Sequence, residues 1–167
     1  MKKYKWIIIL LNLVILLVSF NSSVIKKEAL LKDGELILLE LAPVDPRSLM
    51  QGDYMQLNYE ISNNLNPNNS NSKPIPKRGF CVVTLNENRV AKKERLQKER
   101  TPLKDGEYLI EYTSRGWWRI NIGAESYFFQ EGEGEKYEEA VYGGVKVDEK
   151  GNSLLIGLYD KDRKKIE

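Results

Sequence analysis

Residues Trp6 to Phe20 read Trp-Ile-Ile-Ile-Leu-Leu-Asn-Leu-Val-Ile-Leu-Leu-Val-Ser-Phe, a hydrophobic run with one interior asparagine, Asn12, and with Lys2, Lys3 and Lys5 in front of it. Such a run enters a membrane, and this fixes the layout of everything that follows. Continued to Ile25 the segment reaches about 30 Å as a helix, enough to cross the hydrocarbon core. Lysines flanking a span are retained on the cytoplasmic side, so the expected topology is a single pass through the cytoplasmic membrane with the N-terminus in and the remainder exported. The chain thus divides into lysines and anchor over residues 1–25 and an extracytoplasmic domain over residues 26–167. A cleaved signal peptide is the competing reading, because Asn21-Ser22-Ser23 supplies small residues near the end of the run. No Ala-x-Ala-like cleavage site accompanies them, and a retained anchor is preferred.

Of the 167 residues, those after the anchor suffice for one ordinary domain with a core. Lys2, Lys3 and Lys5 are the only charges before Lys26, so without them the net charge of +2 becomes −1. No basic field remains for nucleic acid. The absence of histidine excludes Ser-His-Asp and Cys-His catalysis and every histidine-containing zinc site. Cys81, the single cysteine, lies in the apolar run Phe80-Cys81-Val82-Val83 and reads as a small buried hydrophobe; no intramolecular disulfide can form. Nothing in the composition calls for a cofactor.

The exported part reads as mainly β (α+β) and mostly antiparallel. Leu36 to Val44 is too short and apolar for a surface helix and predicts a buried strand, entered through a turn at Lys32-Asp33-Gly34-Glu35 that resembles Lys104-Asp105-Gly106-Glu107 further on. Residues 62–76, rich in asparagine and carrying three prolines, predict a long mobile loop of the inserted kind. Arg78–Leu85 and Arg89–Gln97 form a predicted hairpin around Asn86-Glu87-Asn88. The charge run of its second half could also suit a helix, but the apolar stripe is too thin for one. Glu107–Thr113 and Trp117–Ile122 make another pair, with Trp118, Ile120 and Ile122 facing the core. After the aromatic strand at Tyr127, a short helix is expected, led by Glu133, Glu135 and Glu138, with Tyr137, Ala140 and Val141 as its apolar face and Gly143-Gly144 as its stop. A last hairpin pairs Val145–Val147 with Leu154–Tyr159.

The most specific stretch is Asp45-Pro46-Arg47-Ser48-Leu49-Met50-Gln51-Gly52-Asp53-Tyr54-Met55-Gln56-Leu57-Asn58-Tyr59-Glu60-Ile61. Asp45 and Pro46 suit a helix start, and Gly52 suits the left-handed exit from a single helical turn. In the strand that follows, Met55, Leu57, Tyr59 and Ile61 alternate with Gln56, Asn58 and Glu60, which places the first set inward. Tyr54 then falls outward, and Asp53, inward by parity, needs a partner; Arg47 is the nearest.

Gly52-Asp53-Tyr54-Met55-Gln56-Leu57-Asn58-Tyr59 resembles the signature of the GDYXXLXY domain family of bacterial membrane-anchored proteins at every fixed position. Pro43 to Leu49, and downstream Tyr127-Phe128 with Glu131-Gly132-Glu133-Gly134, are similar to that family too, so the likeness covers most of the exported part. It implies an envelope protein, often found beside multi-pass membrane proteins, with no assigned activity or ligand. Asp45, Pro46, Gly52, Leu57 and Tyr59 are read as scaffold; Arg47, Asp53 and Tyr54 remain as the candidates for binding a ligand or partner.

Two chemical readings compete with a non-catalytic envelope component. Ser48-Leu49-Met50 before Gly52-Asp53 faintly resembles type I signal peptidases, which use a serine-lysine dyad, with Lys73 or Lys77 as base. The proline those enzymes carry shortly after Ser-Met is missing here, and the lysine would have to be buried. Glu131, Glu133, Glu135, Glu138 and Glu139 could supply carboxylates to a hard cation, but their spacing does not resemble an EF-hand, and helix-dipole compensation explains the same residues. The preferred reading names no catalytic residue and no metal site. Its partners are the membrane and a multi-pass membrane protein.

Overall fold

An apolar sequence without helix breakers, flanked by lysines, forms one continuous helix, α1, over Lys2–Asp33. The computed structural model describes residues 2–42, 54–63, 75–114 and 119–167. From Tyr4 to Ala29 the described side chains of α1 are exposed, and the helix is long and apolar enough to cross a membrane. It continues beyond Ile25 to Asp33, and its last turn docks on the β domain through Leu30, only 8% exposed. Gly34 then ends it. A side chain there would overlap the Leu30 carbonyl and crowd that of Val147, and the Gly34 carbonyl accepts a 2.6 Å bond from Lys146 Nζ.

The β strands are β1 (Glu35–Glu40), β2 (Tyr54–Gln56), β3 (Arg78–Leu85), β4 (Ala91–Gln97), β5 (Glu107–Thr113), β6 (Ser126–Phe128), β7 (Tyr142–Val147) and β8 (Ser153–Tyr159). They pair antiparallel in three sets, ordered β1-β7-β8, β4-β3-β5 and the ribbon β2-β6. Ile37 and Leu39 from β1, Val145 and Val147 from β7 and Leu158 from β8 share one core with Cys81, Val83, Ile110 and Tyr112 of the other three-stranded sheet. The central strand β3 buries Cys81, Val82 and Val83 in succession, as a strand covered on both faces should. A parallel bridge from Leu38 to Val90 joins the two sheets at one edge.

The β4 charge run is the second half of a hairpin, not a helix. Arg95 straps it to the start of β5 and to the loop before it, with Nη1 and Nη2 donating to the Glu107 carboxylate at 2.5 and 2.8 Å and Nη2 also to the Pro102 carbonyl at 3.0 Å.

Several expectations change. The strand after the signature is short: β2 ends at Gln56, Tyr59 makes a bridge to Leu41, and Glu60–Asn63 coils into one helical turn, α2. Coiling lets Ile61 and Ser62 both bury, where alternation would have turned one of them outward. Ser62 therefore belongs to the core and does not begin a loop; residues 64–74 of that segment lie outside the described residues. Of the predicted strand from Trp117 to Ile122, only a bridge from Asn121 to Thr113 forms among the described residues, although Ile120 and Ile122 are buried as expected. The short helix is a single 3₁₀ turn, Gly134–Tyr137. Val141 has already left it, because its N–H donates to the Tyr159 carbonyl and its own carbonyl accepts from Leu41.

Gly143 and Gly144 lie inside β7 and do not stop a helix. A side chain at 143 would press on the Tyr59 ring and one at 144 on the Tyr159 ring, so the glycines make room for tyrosines. The two Lys-Asp-Gly-Glu segments also differ. Gly34 ends a helix without positive φ, while Gly106 has φ of 79° in the turn that leads into β5.

Candidate functional site

Of the fixed residues of the signature that are described, Tyr54 falls on the ribbon and Leu57 and Tyr59 on the extended segment that follows it. Tyr54 pairs with Phe128, Met55 with Tyr127 and Gln56 with Ser126, so the two family-like motifs, far apart in sequence, are neighbouring strands. Leu57 N–H then donates to the Glu125 carbonyl at 2.7 Å, which prolongs the pairing. Alternation works as the pattern demands. Met55, Leu57 and Tyr59 are buried, while Gln56 is exposed.

Tyr59 carries the largest structural load. Its ring lies over Gly143 and its hydroxyl donates to the Ala124 carbonyl at 2.5 Å, tying the signature to β7 on one side and to the segment before β6 on the other. Burial, with the charge of Glu125 added, raises its phenol far above the ordinary range, so it stays a neutral donor. Beside it, Asn58 Oδ1 accepts from Asn63 Nδ2 at 2.9 Å and from the Arg119 guanidinium, which closes the exit of the segment.

Tyr54 faces outward, half-buried. Its ring meets Phe128, 5.8 Å between centroids and tilted by 40°. Phe128 is 74% exposed, and among the described residues beyond α1 the other large hydrophobic left exposed is Leu103. On the opposite side of β6, Tyr127 and Phe129 pack on Tyr137 of the 3₁₀ turn at 5.0 and 5.5 Å. Burial, followed by the hydrogen bond its hydroxyl donates to the neighbouring phenol of Tyr137, pushes the Tyr127 phenol up to about 12. One aromatic face thus anchors the ribbon and the other presents two rings to the surroundings. Alternation through Tyr127, Phe128 and Phe129 was the signal that marks Phe128 as outward.

The remaining candidates, Asp45, Pro46, Arg47, Gly52 and Asp53, lie outside the described residues, as do Ser48 and Lys73. Lys77 is described and solvent-exposed, whereas a lysine serving as a base needs burial. Lys93 is partly buried. Burial lowers its pKa, and Nζ donates to the Ile61 carbonyl at 3.0 Å, one residue from Ser62. No dyad forms there, since Ser62 Oγ is sealed from solvent without a hydrogen-bond partner. Burial pushes the Cys81 thiol up to about 11, which removes it as a nucleophile. Glu40 and Glu60 come together beside the signature; burial, then the like charge and hydrogen bond of Glu60, raise the Glu40 carboxyl. Among the described residues no three acidic, cysteine or histidine side chains converge on a point that could hold a metal, and Glu133 is engaged with Lys136 at 2.6 Å.

These features define a class: a mostly antiparallel β domain carried on an apolar N-terminal helix, with its signature built into a two-stranded aromatic ribbon. The model of the GDYXXLXY protein family matches residues 16–158, and the chain belongs to that family. Comparison with curated proteins and with solved structures returned no match.

Proposed function

We propose that the protein is a retained, single-pass component of the cytoplasmic membrane, N-terminus in, whose extracytoplasmic β domain binds a multi-pass membrane partner without catalysing a reaction. The observation that supports this reading best is the Tyr54–Phe128 pair, two adjacent rings on the outer face of the ribbon that carries the signature. Rings of this kind are favoured anchors in interfaces, because a large apolar area is ordered at little conformational cost. Asn12, a polar group in the middle of the span, adds a second point of contact, since an amide in hydrocarbon gains by bonding to a neighbouring helix.

Site-specific photo-crosslinking in native membranes tests this. A crosslinker at Phe128 should capture one discrete integral membrane protein, and the Arg47→Ala, Tyr54→Ala double variant should lose that partner in a pull-down. The same crosslinker at Lys161, on the exposed turn after β8, should capture nothing defined. An unchanged set of partners in the double variant, or equal capture from both positions, would remove the signature face as a binding surface.

A further inference from the structure

Where α1 meets the β domain, the two walls do not close. They leave an open cleft of about 1110 Å³, slightly above the size usual for small-molecule sites. One wall is the end of the helix, with Lys26, Lys27 and Leu30; the other is formed by β5 and the β7–β8 turn, with Glu111 and Glu149. Tyr108, Ile122 and Val147 supply apolar surface between them. The geometry of the junction is held by Leu30 and by the Lys146 bond to the Gly34 carbonyl.

Four of the side-chain charges lining this cleft are unpaired. Asp148 is committed to its own turn, accepting from the backbone of Lys150 and Asn152, and Glu35 is paired with Arg89 at 3.0 Å. The side chains of Lys26, Lys27, Glu111 and Glu149, all exposed, make no ion pair or hydrogen bond with any described residue; Asp33 and Lys150 line the cleft as well, and Arg100 does so with its guanidinium over the Phe80 ring. Two unpaired ammonium groups thus line one wall and two unpaired carboxylates the other. The position along the helix matters as much as the charge. If the span ends near Ile25, Lys26 and Lys27 stand at the hydrocarbon boundary, and Asp33 lies about 12 Å beyond it, so the cleft spans the depth of the lipid headgroups.

We propose that this cleft binds the headgroup of a zwitterionic aminophospholipid, with its phosphate on Lys26 and Lys27 and its primary ammonium on Glu111 and Glu149. A primary ammonium donates hydrogen bonds to both carboxylates, which a quaternary choline cannot do. An anionic headgroup without an amine would leave the carboxylates facing a negative charge. The proposal rests on retention of α1.

The test uses the full chain, purified in neutral detergent and delipidated, then offered phosphatidylethanolamine, phosphatidylcholine or phosphatidylglycerol and read by native mass spectrometry. Phosphatidylethanolamine should remain bound at one copy per chain, with retention at least about fivefold above the other two, as loss of charge-assisted hydrogen bonds implies. Lys26→Gln with Lys27→Gln should weaken it, and Glu111→Gln with Glu149→Gln should abolish the preference over phosphatidylcholine. All four positions are exposed, and unaltered circular dichroism would show that the variants fold. Equal retention of the three lipids, a preference for phosphatidylglycerol, or a preference unchanged in both double variants would overturn the proposal. The same spectra report the mass of the chain. A mass lacking α1 would overturn the anchored reading and the cleft together, whereas an intact mass without lipid preference would overturn the cleft alone.

Discussion

Two buried tyrosines show how differently one residue type is used here. Tyr59 donates to a carbonyl and lies against a glycine that leaves it space, while the Tyr112 hydroxyl is buried with no hydrogen-bond partner. Tyr59→Phe strands the Ala124 carbonyl and should lower unfolding free energy by about 1–3 kcal/mol. Tyr112→Phe removes a hydroxyl that was desolvated without return, and its stability should be unchanged or raised. Urea denaturation of the two variants in parallel checks the contrast, and equal losses would contradict it. Tyr59 was legible in sequence as an inward residue by alternation, but its partner was not, since Ala124 is 65 positions away.

At the scale of elements, the bond between Arg95 on β4 and Glu107 on β5 gives the sheet a pH dependence. The guanidinium, then the Lys104 N–H, hold the Glu107 carboxyl at about 2, well below the ordinary glutamate value. A group with a depressed native pKa stabilises the fold above its unfolded pKa and loses that contribution as pH falls through the native one. Wild type should therefore lose stability between about pH 5 and pH 2 by an amount that Glu107→Gln does not show, as thermal melts at a series of pH values would reveal. Glu40, raised by burial and by Glu60, has the opposite sign and favours the fold as pH falls. Strands β3, β4, β5 and β8 were legible because an apolar run or an alternating pattern agrees with the turn residues that bound it. The 3₁₀ turn and the place of Gly143-Gly144 were not, because they answer to the backbone of β8 and to rings brought from elsewhere in the chain.

For the whole molecule, the junction between the apolar helix and the β domain is set by packing more than by hydropathy. Hydropathy ends the apolar run near Ile25, yet α1 runs on to Asp33, and Leu30 is packed into the β domain. A fragment beginning at Lys26 should fold as a soluble domain. One beginning at Gly34 loses the Leu30 contact and should melt markedly lower, on the scale of about 2–5 kcal/mol known for removal of a buried leucine side chain. Equal melting temperatures for the two fragments would show that the last turn of α1 adds nothing to the core.

The sequence by itself determined the apolar helix, the antiparallel β class, the inward set Met55, Leu57 and Tyr59 and the kinship carried by the signature. Each of these depends on local composition or on alternation along one strand. Only the tertiary structure decided that the two motifs form one ribbon, that Tyr54 meets Phe128, that glycines in β7 accommodate tyrosines, and that lysines of α1 and carboxylates of the β domain line one cleft. Those relations join residues far apart in the chain, and they arise from which strands share a core.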